Sequence, residues 1–180
     1  MKITIAGEAG SGKGGLRKKL SNFFNYEQWS MGDMRREIAQ RHGLTIDQFN
    51  KIGEKEDWTD REVDDFQKYE LGKRENLIVE GRLSWFMIPN TYKIFLDVDP
   101  KEGARRIYEN QRKSEKPSNS LIEMMGYTEK RRFSDIKRYE DYYEVNPYKK
   151  EYFDFVLDTT NLTPEKTFEN IINNLLIKDE

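Results

Sequence analysis

With 180 residues and no cysteine, the chain is long enough for one α/β domain with a sizeable core, and it excludes disulfides, thiolate metal sites and cysteine nucleophiles. Its 31 basic and 33 acidic residues nearly cancel to a net charge of -2, so there is no global pull toward nucleic acid or an anionic membrane. Any anion site must be a local cluster of Arg and Lys, and with His42 as the single histidine there is no histidine triad or multi-histidine metal site.

The first apolar run, 3–6, reads as a buried strand. It leads straight into Gly7-Glu8-Ala9-Gly10-Ser11-Gly12-Lys13-Gly14, and a helical pattern follows over 15–24. The spacing is G-x-x-x-x-G-K, a Walker A pattern. Glycines let the backbone curl so that successive N–H groups face phosphate oxygens. The helix behind them adds its positive N-terminal end. Lys13 supplies a mobile point charge for the β and γ phosphates of ATP. Gly7, Glu8, Ala9, Gly10, Ser11, Gly12, Lys13, Gly14 and Gly15 are therefore the expected ATP-binding loop. A P-loop usually places Ser or Thr after the lysine to bind Mg²⁺. Gly14 and Gly15 carry no hydroxyl, so Mg²⁺ must be held by waters, by the nucleotide and by carboxylates elsewhere.

A weak strand near Trp29 comes next, followed by Ser30-Met31-Gly32-Asp33-Met34-Arg35-Arg36. His42, between Arg41 and Gly43, reads as a cation near a helix C-terminus. Thr45 with Gln48, and Thr59 with Glu62, each have the spacing of a capping box. Asp60-Arg61-Glu62-Val63-Asp64 opens the helix after Trp58. The third strand, 77–79, ends in Val79-Glu80-Gly81-Arg82-Leu83, after which Trp85, Phe86 and Met87 read as core or cleft wall. The fourth, 93–98, ends at Asp97-Val98-Asp99-Pro100. Two acids there suggest a metal pair, but a strand end with a turn explains them as well.

The polar, aperiodic segment 112–120 reads as a mobile loop. A helix over 128–143 carries Arg131, Ser134, Asp135 and Arg138. Arg131 and Arg138 share one face with Asp135 between them, and Tyr139, Tyr142 and Tyr143 read as packing. A last strand, 155–157, precedes Thr163-Pro164-Glu165, a good helix start. Phe168, Ile171, Ile172, Leu175 and Leu176 then recur as a core-facing stripe. Strands alternating with helices predict an α/β fold, a parallel sheet covered on both faces, in a single domain. No signal peptide fits the opening Met-Lys-Ile-Thr-Ile-Ala, and no apolar run approaches a membrane span. The expectation is a soluble, cytoplasmic protein.

In this order after a P-loop, the motifs Gly32-Asp33-Met34-Arg35-Arg36, Asp60-Arg61-Glu62-Val63-Asp64 and Glu80-Gly81-Arg82 resemble the cytidylate kinase-like family, particularly its short archaeal-type members. The resemblance runs from Met1 to about Leu176. It implies a three-layer P-loop fold with a five-stranded parallel sheet in the order 2-3-1-4-5. It also implies a helical nucleoside-monophosphate part over 34–76 and a small mobile lid over 106–127. Asp33, Arg36, Arg82, Arg131 and Arg138 would bind the acceptor. Lys13, Arg82, Arg131 and Arg138 would act on the transferring group, and Asp33 and Glu80 would hold Mg²⁺ through water. Family members often carry an arginine where Gly103 stands here; Arg105, Arg106 and Arg112 offer that lid charge nearby.

Arginine's planar fork suits phosphate. Arg36 and Arg82 lie just past predicted strand ends, where open α/β sheets bind ligands. The expected reaction is transfer of the ATP γ-phosphoryl group to CMP or dCMP by a monomer whose partners are small-molecule nucleotides, with no nucleic-acid or membrane partner. Two other readings stay open. One is a kinase of another monophosphate or metabolite on the same fold. The other, prompted by Gly14 and Gly15, is a catalytically weak nucleotide-binding regulatory module.

Overall fold

The computed structural model describes residues 1–111 and 117–177. Five strands form one sheet: β1 (Lys2–Gly7), β2 (Glu27–Ser30), β3 (Leu77–Glu80), β4 (Tyr92–Asp97) and β5 (Phe155–Asp158). All pairings are parallel, in the order β2-β3-β1-β4-β5. The helices are α1 (Lys13–Phe24), α2 (Met31–Arg41), α3 (Ile46–Gly53), α4 (Trp58–Asp65), α5 (Ser84–Met87), α6 (Pro100–Glu109), α7 (Leu121–Tyr143) and α8 (Pro164–Ile177).

β1 is buried along its whole length, as a central parallel strand covered on both faces must be. Alternation then sorts its side chains. Ile3 and Ile5 join Ile94 and Leu96 against Leu16 and Leu20 of α1 and Ile171 and Leu175 of α8. Ala6 and Phe95 face the other way, into a cluster with Trp85, Tyr139 and Tyr148. A third cluster packs Ile38 of α2, Phe49 of α3 and Val63 of α4 on Leu77 and Val79. Full burial of such a side chain contributes about 1.5–3 kcal/mol, so these faces fix where each strand ends. Register does the rest: Ile5 lies opposite Glu80, and Gly7 opposite Leu96, so the P-loop and Glu80 emerge together at the C-terminal ends of the central strands.

The caps follow the sequence with one correction. Thr45 and Gln48 form the full capping box of α3. Asp99 accepts from Lys101 N and Glu102 N at the start of α6, so it is a cap and not half of a metal pair. Thr163 caps α8 through Lys166 N. Thr59, however, does not cap α4. The Arg61 amide already bonds Asp57 O, so the helix begins at Trp58 and Thr59 is buried inside it. Its hydroxyl donates to Asp60 Oδ2 at 3.2 Å instead. Phe86 also departs from expectation: Trp85 and Met87 are buried, but Phe86 is exposed. His42 sits at the C-cap of α2, as expected. Of the loop read over 112–120, residues 112–116, Arg112 among them, lie outside the described residues, and Ser120 caps α7. No helix among the described residues is long and apolar enough to cross a membrane.

Candidate active site

The loop after β1 curls back on its own lysine. Lys13 Nζ donates to the Glu8 carbonyl and, at 3.3 Å, to Ser11 Oγ. Ser11 Oγ in turn donates to Glu8 O at 2.8 Å. Burial lowers the Lys13 ammonium to a pKa of about 7; the neighbouring cations Arg82 and Arg131 push the same way, against Glu80 and Glu8. A buried ammonium facing two guanidiniums favours an anion between them.

The loop rests on α6 through glycine. Gly10 has φ +77, and a Cβ there would lie 2.1 Å from Gly103 O; a Cβ on Gly103 would lie 2.4 Å from Ala9 O. Two backbones therefore touch, and no side chain fits at 103 without moving the loop. We expect Gly103→Ala to displace the loop, weakening ATP binding by about tenfold or more and lowering Tm by several degrees. Isothermal titration with ATP and a melting curve check this. Arg106, one turn further along α6, bridges instead: its guanidinium donates to Thr159 O at 2.8 Å, Thr160 O at 2.9 Å and Gly10 O at 3.4 Å. Arg105 points away, paired with Glu102 and Glu109.

Glu80 ends β3 beside the loop. Its Oε2 lies 3.4 Å from the place a Gly14 Cβ would take and accepts from Arg17 Nε at 3.2 Å. Arg17 also donates to Gln28 on β2. A carboxylate thus stands where the P-loop lacks a hydroxyl. Asp33, in the first turn of α2, is largely exposed and pairs with Arg36. No group of three potential metal ligands occurs among the described residues. Such a site suits an ion held by phosphates and water, with one protein carboxylate at its edge.

Next to the loop lies a cleft lined by Gly32, Arg35, Arg36, Arg82, Arg131 and Arg138, with Asp60, Asp64, Gln67 and Asp135 in its wall. The arginines differ. Arg82 Nε donates to Asp135 Oδ2 at 2.7 Å, and its NH1 to Gly7 O at 3.2 Å, tying the cleft to the P-loop. Arg138 is buried, bonded to Asp135 at 2.7 Å and to Asp60 at 3.2 and 3.3 Å, with its Nε lacking a protein partner. Burial alone would raise Asp135; Arg82 and Arg138 outweigh it and hold its carboxyl well below the usual range. Arg131 is half-buried and, among the described residues, has no ion-pair partner.

The sequence profile of the cytidylate kinase-like family matches residues 2–161. The chain belongs to the cytidylate kinase-like family. It is 32% identical to the cytidylate kinase of Natronomonas pharaonis over 92% of this chain and 84% of that protein. It is 30% identical to the cytidylate kinase of Thermoplasma volcanium over 97% of this chain and 91% of that one. It is also 30% identical, over 96% of its length, to an S-adenosylmethionine-dependent nucleotide dehydratase of Lacinutrix mariniflava, but spans only 35% of that longer protein. Among solved structures, shikimate kinase from Bacteroides thetaiotaomicron matches with a TM-score of 0.65 at 17% identity, covering 97% of this chain and 98% of that one. This second likeness establishes a P-loop kinase fold.

Within this family frame, the structure adds residues that sequence reading passed over. Arg35 donates to Asp60 Oδ1 at 2.7 Å and to Thr59 O at 2.9 Å, and lies over the Phe49 ring. Arg132 donates to Glu8 Oε1 at 3.0 Å while stacked on Tyr148, linking α7 to the P-loop. The tyrosines of α7 do more than pack: Tyr142 donates to Gly53 O, and Tyr143 to Asp64 Oδ2 at 2.6 Å. Partners so far apart in sequence leave no local signal. Only the adjacency of Arg35 to Arg36 in the Gly-Asp-x-x-Arg motif pointed toward this cluster.

Proposed function

We propose that the protein transfers the γ-phosphoryl group of ATP to CMP or dCMP, giving ADP and the nucleoside diphosphate. The observation that carries this reading is the arginine-lined cleft tied to the P-loop through Arg82, in which Arg131 has no ion-pair partner among the described residues and, with Arg82, pushes down the pKa of the buried Lys13. One phosphate site beside a separate anion cleft is what transfer between two phosphorylated substrates requires. Family membership supports phosphotransfer, and the cytidylate kinase relatives support the acceptor. The dehydratase relative, also named for a nucleotide, agrees with that class of compound.

In this reading the amides of Gly7 to Gly15 and Lys13 hold the β and γ phosphates. Glu80 and Asp33 would hold the Mg²⁺ of Mg·ATP through water, and the ion would supply neutralisation of phosphate charge. Arg36 and Arg131 grip the acceptor phosphate. Arg82, fixed by Asp135, spans the acceptor and the transferring group, and Arg138 backs the same wall. No side chain need act as a strong base, because the attacking phosphate oxygen is already ionised; catalysis is positioning and charge neutralisation. In the same reading the helical part 34–76 forms the acceptor side, and the lid expected over 106–127, of which 112–116 lie outside the described residues, excludes water. Offering CMP, dCMP, UMP, AMP and GMP separately with Mg·ATP tests the assignment. Turnover that peaks with CMP or dCMP is expected. Equal turnover with every acceptor, or none above the acceptor-free rate, contradicts it.

A further inference from the structure

The acceptor cleft is electrostatically lopsided. Its arginine end adjoins the P-loop, where Arg82 bonds Gly7 and Arg131 bears on Lys13. Further along, its wall carries Asp60, Asp64, Gln67 and Asn50, with Arg35 and Arg138 bonded to Asp60.

The two acids there differ in kind. Asp60 is occupied: Arg35, Arg138 and the Thr59 hydroxyl all donate to it. Asp64 is buried too, but its hydrogen bonds come from neutral groups, Gln67 Nε2 at 3.2 Å and Tyr143 Oη at 2.6 Å. A carboxylate offers about four lone-pair directions, so acceptor capacity remains. Gln67 is itself fixed, since its Oε1 accepts from Ser84 Oγ at 2.6 Å. It sits on a turn of π-helix, Phe66–Glu70, continuing α4, a distortion often found at functional sites. Burial pushes the Asp64 carboxyl up to about 7, which the Tyr143 hydrogen bond only partly offsets. A structural tie between α4 and α7 would not need a buried carboxyl with only neutral donors.

We propose that Asp64 is the specificity-determining residue of the acceptor cleft: its carboxylate, held by Gln67 and Tyr143, accepts a hydrogen bond from the exocyclic amine of the acceptor's base. The proposal rests on the nucleotide-kinase reading above and gives it a base preference. Cytosine presents an N–H donor at that position. Uracil presents a carbonyl oxygen, and at a pH above the Asp64 value of about 7, where the carboxylate is ionised and the comparison is to be made, two acceptors facing each other in a buried pocket are repelled and left unbonded.

The test compares kcat/KM for CMP, UMP and a CMP analogue lacking the 4-amino group, in the wild-type protein and in Asp64→Asn, with ATP affinity and Tm measured on both. The wild-type protein is expected to prefer CMP over both other acceptors by about 100-fold. In Asp64→Asn, whose amide N–H can meet uracil's oxygen, the CMP-to-UMP ratio falls by a similar factor while ATP affinity holds. A purely structural role would lower Tm and leave that ratio unchanged, which overturns the proposal. If Asp64→Asn does not fold, the analogue decides alone: wild-type use of it on a par with CMP overturns the proposal as well. Absence of wild-type turnover with any monophosphate would instead strike the kinase reading itself, so the two failures are distinguishable.

Discussion

Replacing Lys13 by Met is expected to lower phosphoryl transfer by about 10²–10³-fold while the fold and its melting temperature are retained or improved. The side chain is buried against Glu8 O and Ser11 Oγ, and burial with Arg82 nearby already lowers its pKa to about 7. The loop without nucleotide therefore carries a charge it stabilises poorly. An apolar isostere removes that burden, whereas in the proposed mechanism the transition state loses a cation from the transferring oxygens. The expected signature is a fall in kcat greater than any rise in the KM for ATP. Near-normal turnover in Lys13→Met, measured as ADP release, would contradict the mechanism.

The second large effect is on stability. Asp135 holds together Arg82, Arg138 and the Tyr148 hydroxyl, which donates to Oδ2 at 3.0 Å. Asp135→Ala leaves Arg82 with no carboxylate among its hydrogen-bond partners and Arg138 with Asp60 alone. Removing one member of such a buried network costs about 3–5 kcal/mol, enough to put much of the protein near its unfolding threshold. Urea denaturation checks the size, and acid denaturation checks the cause. The folded carboxyl titrates well below its unfolded value of 3.8, so the unfolded state takes up the proton first as pH falls. The contribution is thus present above about pH 4 and lost on further acidification. Wild-type and Asp135→Ala stabilities should converge as pH drops below that point. A gap that persists unchanged at low pH would place the effect in packing instead.

The sheet was legible because its signal is local. Every strand but β2 is a short apolar run between helical patterns, and the hydrophobic alternation of β1 alone fixes which residues face α1 and α8; β2, Glu27–Ser30, is polar and shows only through Trp29. Helix ends were read less evenly. α7 begins at Leu121, well before 128: Leu121, Met124 and Met125 already carry a helical period, and Ser120 with Glu123 has the capping-box spacing that marks the start, a signal passed over beside Gly126 and the polar run before it. Thr59 was misread as a cap because backbone bonding from Asp57 starts α4 earlier. The phosphate loop, Arg36, Arg82, Arg131 and Arg138 could be singled out by motif and spacing; the four arginines line one cleft, which Arg82 ties to the loop at Gly7 O. Whether an arginine is occupied or open could not be read that way. Asp60 meets Arg138, and Glu80 meets Arg17, across long loops of chain, and such pairings are decided by the sheet's crossovers.

The most direct test is to incubate the protein with Mg·ATP and CMP and to follow both products, ADP and CDP, by chromatography beside a CMP-free control and Lys13→Met. The account predicts CDP and ADP in equal amounts, dependent on CMP and largely abolished by the substitution. ADP without CDP, or ATP bound and left intact with CMP present, would contradict it.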